Sequence, residues 1–277
     1  MTAQLVETYW RPTADRFARF AARHFCRRTV EAQNDRPIVS FTFDDVDATA
    51  ATTGAEILER HDVRGTFYVA GALCDLSGDK GPFATREQCR DLARRGHEIG
   101  CHTYSHVPVR TLSSPALTRD LDRNATYLGN GNEPPPASFA FPFNAPTLRA
   151  KRALARRFLS SRGGVSGINS GEIDMAFLKA VGINDDGIST RDATEWIEQA
   201  SASNGWLVFF LHDVSAAPPA GQSRSRYGCT PEILEAAVRI ALSSGAEVLA
   251  MRDAASRVRG MGSGDPAGHI RSGGIAP

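Results

Sequence analysis

Two aspartates stand side by side in the stretch SFTFDDVDAT, residues 40–49, where a run of strand-forming residues ends. Asp44 and Asp45 repel each other there unless something holds them. Reactive side chains recur at the ends of three more such runs: His102 after HEIGC, Phe143 and Asn144 after FAFP, and His212 and Asp213 after WLVFFL. His102 and His106 are four residues apart in HTYSH. If that segment turns helical, both imidazoles share one face and can grip one ion. A carboxylate from a neighbouring strand completes a three-ligand facial set with positions left open. A divalent cation then accounts for the aspartate pair. One carboxylate binds the ion, and the other stays free as a general base toward a water.

The elements that must carry these groups alternate. Strands are expected at PIVSFTF, RGTFYVAG, HEIGCH, ASFAFP, LSSRGG, GWLVFFLHDV and AEVLAM. Helices are expected at TTGAEILERHD, TREQCRDLARRG, SPALTRDLDRNATYLG, APTLRAKRALARRF, ATEWIEQASAS and TPEILEAAVRIALSSG. Thr85 reads as an N-cap and Gly96 as a helix stop, Ser114 precedes Pro115, and Thr230 precedes Pro231. Residues 165–190 have no clear pattern. Repeated strand–helix units imply an α/β fold with a parallel sheet or barrel, whose reactive groups gather at the C-terminal strand ends.

The 277 residues suffice for one large domain with a sizeable core, and net charge is +1. That balance argues against bulk binding to nucleic acid. Five cysteines without a CxxC pair give neither a disulfide framework nor a cysteine zinc site. No apolar run reaches membrane-spanning length and no secretory signal opens the chain, so a cytoplasmic location is expected. Residues 1–36 read as an N-terminal helical extension, 37–257 as the main domain and 258–277 as a Gly/Ser/Pro-rich disordered tail. In the extension, Phe17, Phe20 and Phe25 share one helix face and Arg16, Arg19, Arg23 and Arg27 another. Such a helix either packs its phenylalanines on the main domain or lies on an anionic membrane surface, here the inner membrane.

Taken together, the motifs resemble those of the polysaccharide deacetylases, the NodB-homology members of carbohydrate esterase family 4. TFDD (residues 42–45) resembles the first motif, HTYSH (102–106, after GHEIG) the second, FAFPF (139–143) a variant of the third, and FLH (210–212) the fifth. The likeness runs from about Pro37 to Met251. It implies a distorted, incomplete (β/α) barrel.

Carried over residue by residue, the resemblance makes Asp44 the general base and His212 the general acid. Asp45, His102 and His106 become ligands of a divalent metal: zinc, or else cobalt, manganese or nickel. The backbone N–H of Phe143 becomes an oxyanion donor, with Pro142 and Phe210 beside the substrate pocket. The chain departs from the pattern at three places. Ala140 stands where the third motif carries an arginine that pairs with the base, Asn144 where it carries glycine, and Val107 where proline often follows the second histidine. The fourth motif, which orients the acid, has candidates in Asp192 with Trp196 and in Asp174, Asp185, Asp186 and Asp213. In SRYGCTP, residues 225–231, Arg226 and Tyr227 can contact substrate or merely lead into a helix.

The implied reaction is metal-dependent de-N-acetylation of an N-acetylhexosamine (GlcNAc-type) residue in a cell-surface polysaccharide or its lipid-linked precursor. The chemistry agrees, because amide hydrolysis needs an activated water, an oxyanion stabiliser and an acid for the amine. The alternatives are a deformylase or amidase acting on a lipid-linked aminosugar or small amide, and a glycan-binding relative without turnover.

Overall fold

The computed structural model describes residues 17, 20–22, 24–78, 81–129, 134–184, 190–216 and 227–260. In chain order its strands are β1 (Thr29–Glu31), β2 (Ile38–Asp44), β3 (Thr66–Val69), β4 (Ser77–Gly78), β5 (Gly81–Pro82), β6 (Glu98–Cys101), β7 (Ser138–Ala140), β8 (Ser160–Arg162), β9 (Glu172–Asp174), β10 (Val181–Gly182), β11 (Trp206–Leu211) and β12 (Glu247–Val248). The α-helices are α1 (Ala55–Arg60), α2 (Arg86–Arg94), α3 (Ser114–Leu128), α4 (Leu148–Leu154), α5 (Thr190–Ala202), α6 (Pro231–Ser243) and α7 (Met251–Arg257).

Eight strands form one parallel sheet in the order β10-β11-β2-β3-β6-β7-β8, with β12 added beside the first residues of β2. The sheet curls into a half-barrel, the incomplete (β/α) barrel that the motifs imply. Alternation along each strand sorts its side chains. Val39, Phe41 and Phe43 of β2, Phe67 and Val69 of β3 and Leu207, Phe209 and Leu211 of β11 face outward into one core with α1, α5 and α6. Ile38, Tyr68, Ala140, Trp206, Val208 and Phe210 face inward with Met251, Ala254 and Ala255 of α7. Asp44, Glu98, His102, Arg162 and His212 fall on the inward phase of their strands. The concave face thus carries both an apolar plug and the reactive groups.

Capping chemistry starts the helices where expected, with one shift. Thr85 and Gln88 form a capping box on α2, Gly96 turns the chain out of it with φ 90°, and Thr230 accepts the Ile233 N–H at the start of α6. On α3 the cap is Ser113, which accepts the Ala116 N–H, so Pro115 sits in the first turn. The unpatterned stretch 165–190 holds β9 and β10, too short to show a period.

GHEIG proves to be a structural plug. His97 Nδ1 accepts the Gly65 N–H (3.1 Å), so Nε2 carries the proton and donates to Glu59 (2.9 Å). The buried Glu98 carboxylate accepts from Thr66 Oγ1 (2.9 Å), Ser138 Oγ (2.7 Å) and the Arg252 N–H (2.7 Å), which ties α7 across the bottom of the sheet. Burial raises the Glu98 pKa against these donors.

The N-terminal segment is joined to the domain. β1 pairs antiparallel with β9, and Lys151, buried on α4, donates to the carbonyls of Ala22 (2.6 Å) and Phe25 (3.1 Å) and to Asp174 (2.5 Å). Residues 17, 20–22 and 24 are helical. Here one of the two alternatives fails. Ala21 and Ala22 turn inward, while Phe17, Phe20 and Phe25 are 73%, 56% and 56% exposed. Small side chains let the helix approach Lys151, so the phenylalanines point away. Arg27 pairs with Glu172 (2.8 Å), and Arg16, Arg19 and Arg23 lie outside the described residues.

Burial lowers the His97 pKa against the pull of Glu59. The folded chain therefore binds this proton less readily than the unfolded one. The stabilisation is complete above the free imidazole value of about 6.5 and is lost as pH falls below it. Denaturant midpoints are expected to drop between pH 7 and pH 5, and His97→Gln is expected to flatten that drop.

Candidate active site

Register brings the strand-end residues together. Leu211 lies opposite Phe43, so His212 follows directly beside Asp44 on the neighbouring strand. Asp44 lies opposite Tyr68, Tyr68 opposite Gly100, and Ala140 opposite Arg162. Gly100 is required, because a Cβ there would stand 2.4 Å from the Tyr68 ring.

The loops above the sheet are bent sharply. Asp45 and Val46 have φ 60° and 54°, Thr103 and His106 62° and 49°, and Phe143 and Asn144 57° and 50°. Left-handed backbone at six non-glycine residues costs free energy, and such strain gathers at functional sites. The turn at Asp45 aims the two adjacent carboxylates at different partners. HTYSH is a tight turn and not a helix: the His106 N–H bonds Thr103 Oγ1 (3.1 Å), and the Tyr104 N–H bonds Asp120 of α3 (2.7 Å). Thr49 Oγ1 donates to Asp47 (2.7 Å) and accepts the Val214 N–H (3.0 Å), locking the loop after β2 to the loop after β11.

Asp45, His102 and His106 present ligand atoms that all lie within 4.8 Å of one another. Asp45 Oδ1 is 2.8 Å from His106 Nε2 and 3.3 Å from His102 Nε2, yet it is a buried oxygen without a properly angled hydrogen bond. His102 Nδ1 donates to the Ala140 carbonyl (2.8 Å), which fixes the tautomer and leaves Nε2 bare toward Asp45. Ligands about 2.0–2.1 Å from a tetrahedral ion sit roughly 3.4 Å apart, against 3.3 Å and 2.8 Å from Asp45 Oδ1 to the two imidazoles here. An orphaned carboxylate oxygen with two imidazole nitrogens facing it fits a divalent cation of the zinc or cobalt type. Burial acts to raise the Asp45 pKa, but His106 and His102, with His212 adding, outweigh it and hold the carboxyl well below the usual range. Burial acts to lower the His106 pKa, and Asp45 and Asp44 raise it on balance.

Asp44 is buried, and its Oδ1 accepts a hydrogen bond from Arg162 Nη2 at the end of β8. The motifs did not single out this arginine. Its only signal was a charged residue on the inward phase of the short strand LSSRGG. His212 is half-buried; its N–H bonds the Tyr227 carbonyl (2.8 Å), and its ring meets the Tyr227 ring edge-on (5.5 Å). Pro142 is buried, and the Phe143 ring, 38% exposed, lies 4.8 Å from that of His106. Phe210 is buried against Tyr227 (4.8 Å). Asp174 is taken by Lys151, Trp196 packs on the outer core, and Asp185, Asp186 and Arg226 lie outside the described residues.

Residues 31–158 match the model of the polysaccharide deacetylase family. The chain is related to the polysaccharide deacetylases. A chitin deacetylase of Colletotrichum lindemuthianum is 36% identical over 78 residues, 28% of this chain and 30% of that protein. The chain spans less than half the length of the curated relatives it matches. A crystal structure of a peptidoglycan N-acetylglucosamine deacetylase superimposes with TM-score 0.55 at 17% identity, covering 84% of this chain and 92% of the other. A family 4 acetyl xylan esterase from Clostridium thermocellum, in complex with a cobalt ion, gives 0.55 at 18% identity, covering 81% and 93%. The deacetylase fold therefore extends over most of the chain, beyond the segment that matches by sequence.

Titration with Co²⁺ is expected to find one tight site. Asp45→Asn, His102→Gln and His106→Gln are each expected to weaken it at least about tenfold, with far-ultraviolet circular dichroism unchanged.

Proposed function

We propose that the chain is a metal-dependent deacetylase that removes the acetyl group from an N-acetylhexosamine residue of a glycan. One observation carries this reading: Asp44 and His212 end adjacent strands on one face, beside the Asp45–His102–His106 cluster. A divalent ion held there, zinc or else cobalt, manganese or nickel, supplies Lewis-acid polarisation of the acetamide carbonyl and acidifies a water. Asp44 is the base that takes a proton from the attacking water. The Phe143 N–H, turned by its left-handed backbone, donates to the carbonyl oxygen as negative charge develops on it. His212 gives its proton to the amide nitrogen as the C–N bond breaks, so that acetate and a free amine leave. The exposed Phe143 ring forms an apolar shelf on which a sugar can rest.

The substrate class proposed is a GlcNAc-type residue in a cell-surface polysaccharide or its lipid-linked precursor. The names of the relatives, chitin and peptidoglycan deacetylase, support an amino-sugar polymer. The catalytic unit is assigned to residues 37–257, with 1–36 as an extension docked through β1 and 258–277 as a tail.

Acetate release from GlcNAc oligomers should require added zinc or cobalt and stop with chelator. Asp44→Asn and His212→Ala are each expected to lower kcat by about 100-fold or more while Co²⁺ binding persists. Release of formate alone from formylated sugars would move the reading to a deformylase. Bound metal without release of any acyl group would move it to glycan binding.

The exposed phenylalanines of the extension support a peripheral contact with an anionic membrane surface. Wild-type protein is expected to sediment with phosphatidylglycerol vesicles, and the triple variant Phe17→Ser, Phe20→Ser, Phe25→Ser to stay in the supernatant. Equal sedimentation of the two would remove this contact.

A further inference from the structure

Arg162 is wholly buried, and among the described residues Asp44 is the only hydrogen-bond partner of its side chain. Its Nε and Nη1 are buried without partners. The guanidinium lies over two aromatic faces, 4.9 Å from the Tyr68 ring centre and 5.1 Å from that of Phe210. An arginine kept for stability alone would be expected to satisfy more of its five donors, because each unpaired buried donor is costly. The arrangement is better matched to aim than to stability. Two rings set the plane of the guanidinium, and the guanidinium sets one oxygen of Asp44. Oδ2 of Asp44 takes no hydrogen bond from any described residue and is left for a proton.

Ala140 stands beside Arg162 in the sheet. It is the register partner of Arg162 on the next strand, and both point to the concave face. Position 140 is also where the family resemblance expects an arginine. We propose that Arg162 is the positioning residue of the general base, reaching Asp44 from β8 in place of a side chain from β7. The two origins differ by one strand, about 4.8 Å, which the arginine stem can span. On this view the site needs a guanidinium beside Asp44 and is indifferent to the strand that delivers it.

The proposal rests on the deacetylase reading, and its test separates the two. Arg162→Met keeps the volume and removes the charge. Its kcat on GlcNAc oligomers is expected to fall at least tenfold, with KM within threefold and Co²⁺ stoichiometry unchanged. Adding Ala140→Arg to that variant is expected to restore at least a third of the wild-type kcat. Methylguanidinium added to Arg162→Ala is expected to raise its rate in a saturable way. Two results would overturn the inference: kcat of Arg162→Met within threefold of wild type, or a folded, metal-loaded Ala140→Arg, Arg162→Met variant no faster than Arg162→Met. Should wild type release no acetate, the functional reading fails instead. The pair is then judged by denaturation of Asp44→Asn, Arg162→Met and the double variant. Additive changes would overturn the pairing, and a double variant less destabilised than the sum would uphold it.

Discussion

Two carboxylates that follow one another on a buried concave face must each find a separate partner, and the architecture turns on that need. Left-handed backbone at Asp45 and Val46 splits the pair. Asp44 stays in the sheet and meets the guanidinium of Arg162. Asp45 swings above it toward His102 and His106. Neither arrangement is possible on a single strand, because the partners come from β8 and from the loop after β6. The curl of the sheet brings those edges over β2. Removing either partner would leave an uncompensated charge in a low-dielectric setting, which is far more costly than losing a surface ion pair.

The support below is polar where it must be rigid. Glu98 gathers Thr66, Ser138 and the first turn of α7, and His97 bridges α1 and the start of β3. Above the sheet, the rigidity comes from side chains that bond to loop backbone. Asp120 holds HTYSH, and Thr49 joins the two loops that carry Asp45 and His212. The strained φ angles persist because these contacts over-determine them.

Much of this was legible in the sequence. Apolar runs with sharp polar ends marked the central strands, and caps such as Thr85 and Thr230 marked helix starts. The histidine pair and the aspartate pair could be read from residue types, because imidazole and carboxylate spacing has chemical meaning without a fold; the family resemblance chose Asp45 over Asp44 as the partner of the histidines, and the structure brings those three together. Arg162 was not legible. Its role depends on which strand lies next to β7 and on the register of a three-residue strand, and neither leaves a local signal. HTYSH was read as a helical turn because an i, i+4 pair invites it, whereas Thr103 and His106 adopt the opposite hand under the pull of Thr103 Oγ1 and Asp120. β9 and β10 escaped notice for want of length. The direction of the N-terminal phenylalanines was set by a distant lysine, which no helical periodicity can report.

The placement of β2 also has a temporal meaning. It is the first strand of the main sheet in the chain, yet β11 pairs along one edge of it and β12 occupies part of the other. Residues 38–43 cannot complete their hydrogen bonds until residues 206–211 and 247–248 exist. During synthesis this apolar ribbon waits with one edge open, at the stage when chains are most prone to pair with the wrong neighbour. Contacts between residues so far apart in the chain also slow the search for the native state. Asp44 and His212 become neighbours only near the end of that search, so the candidate site would be assembled late and all at once.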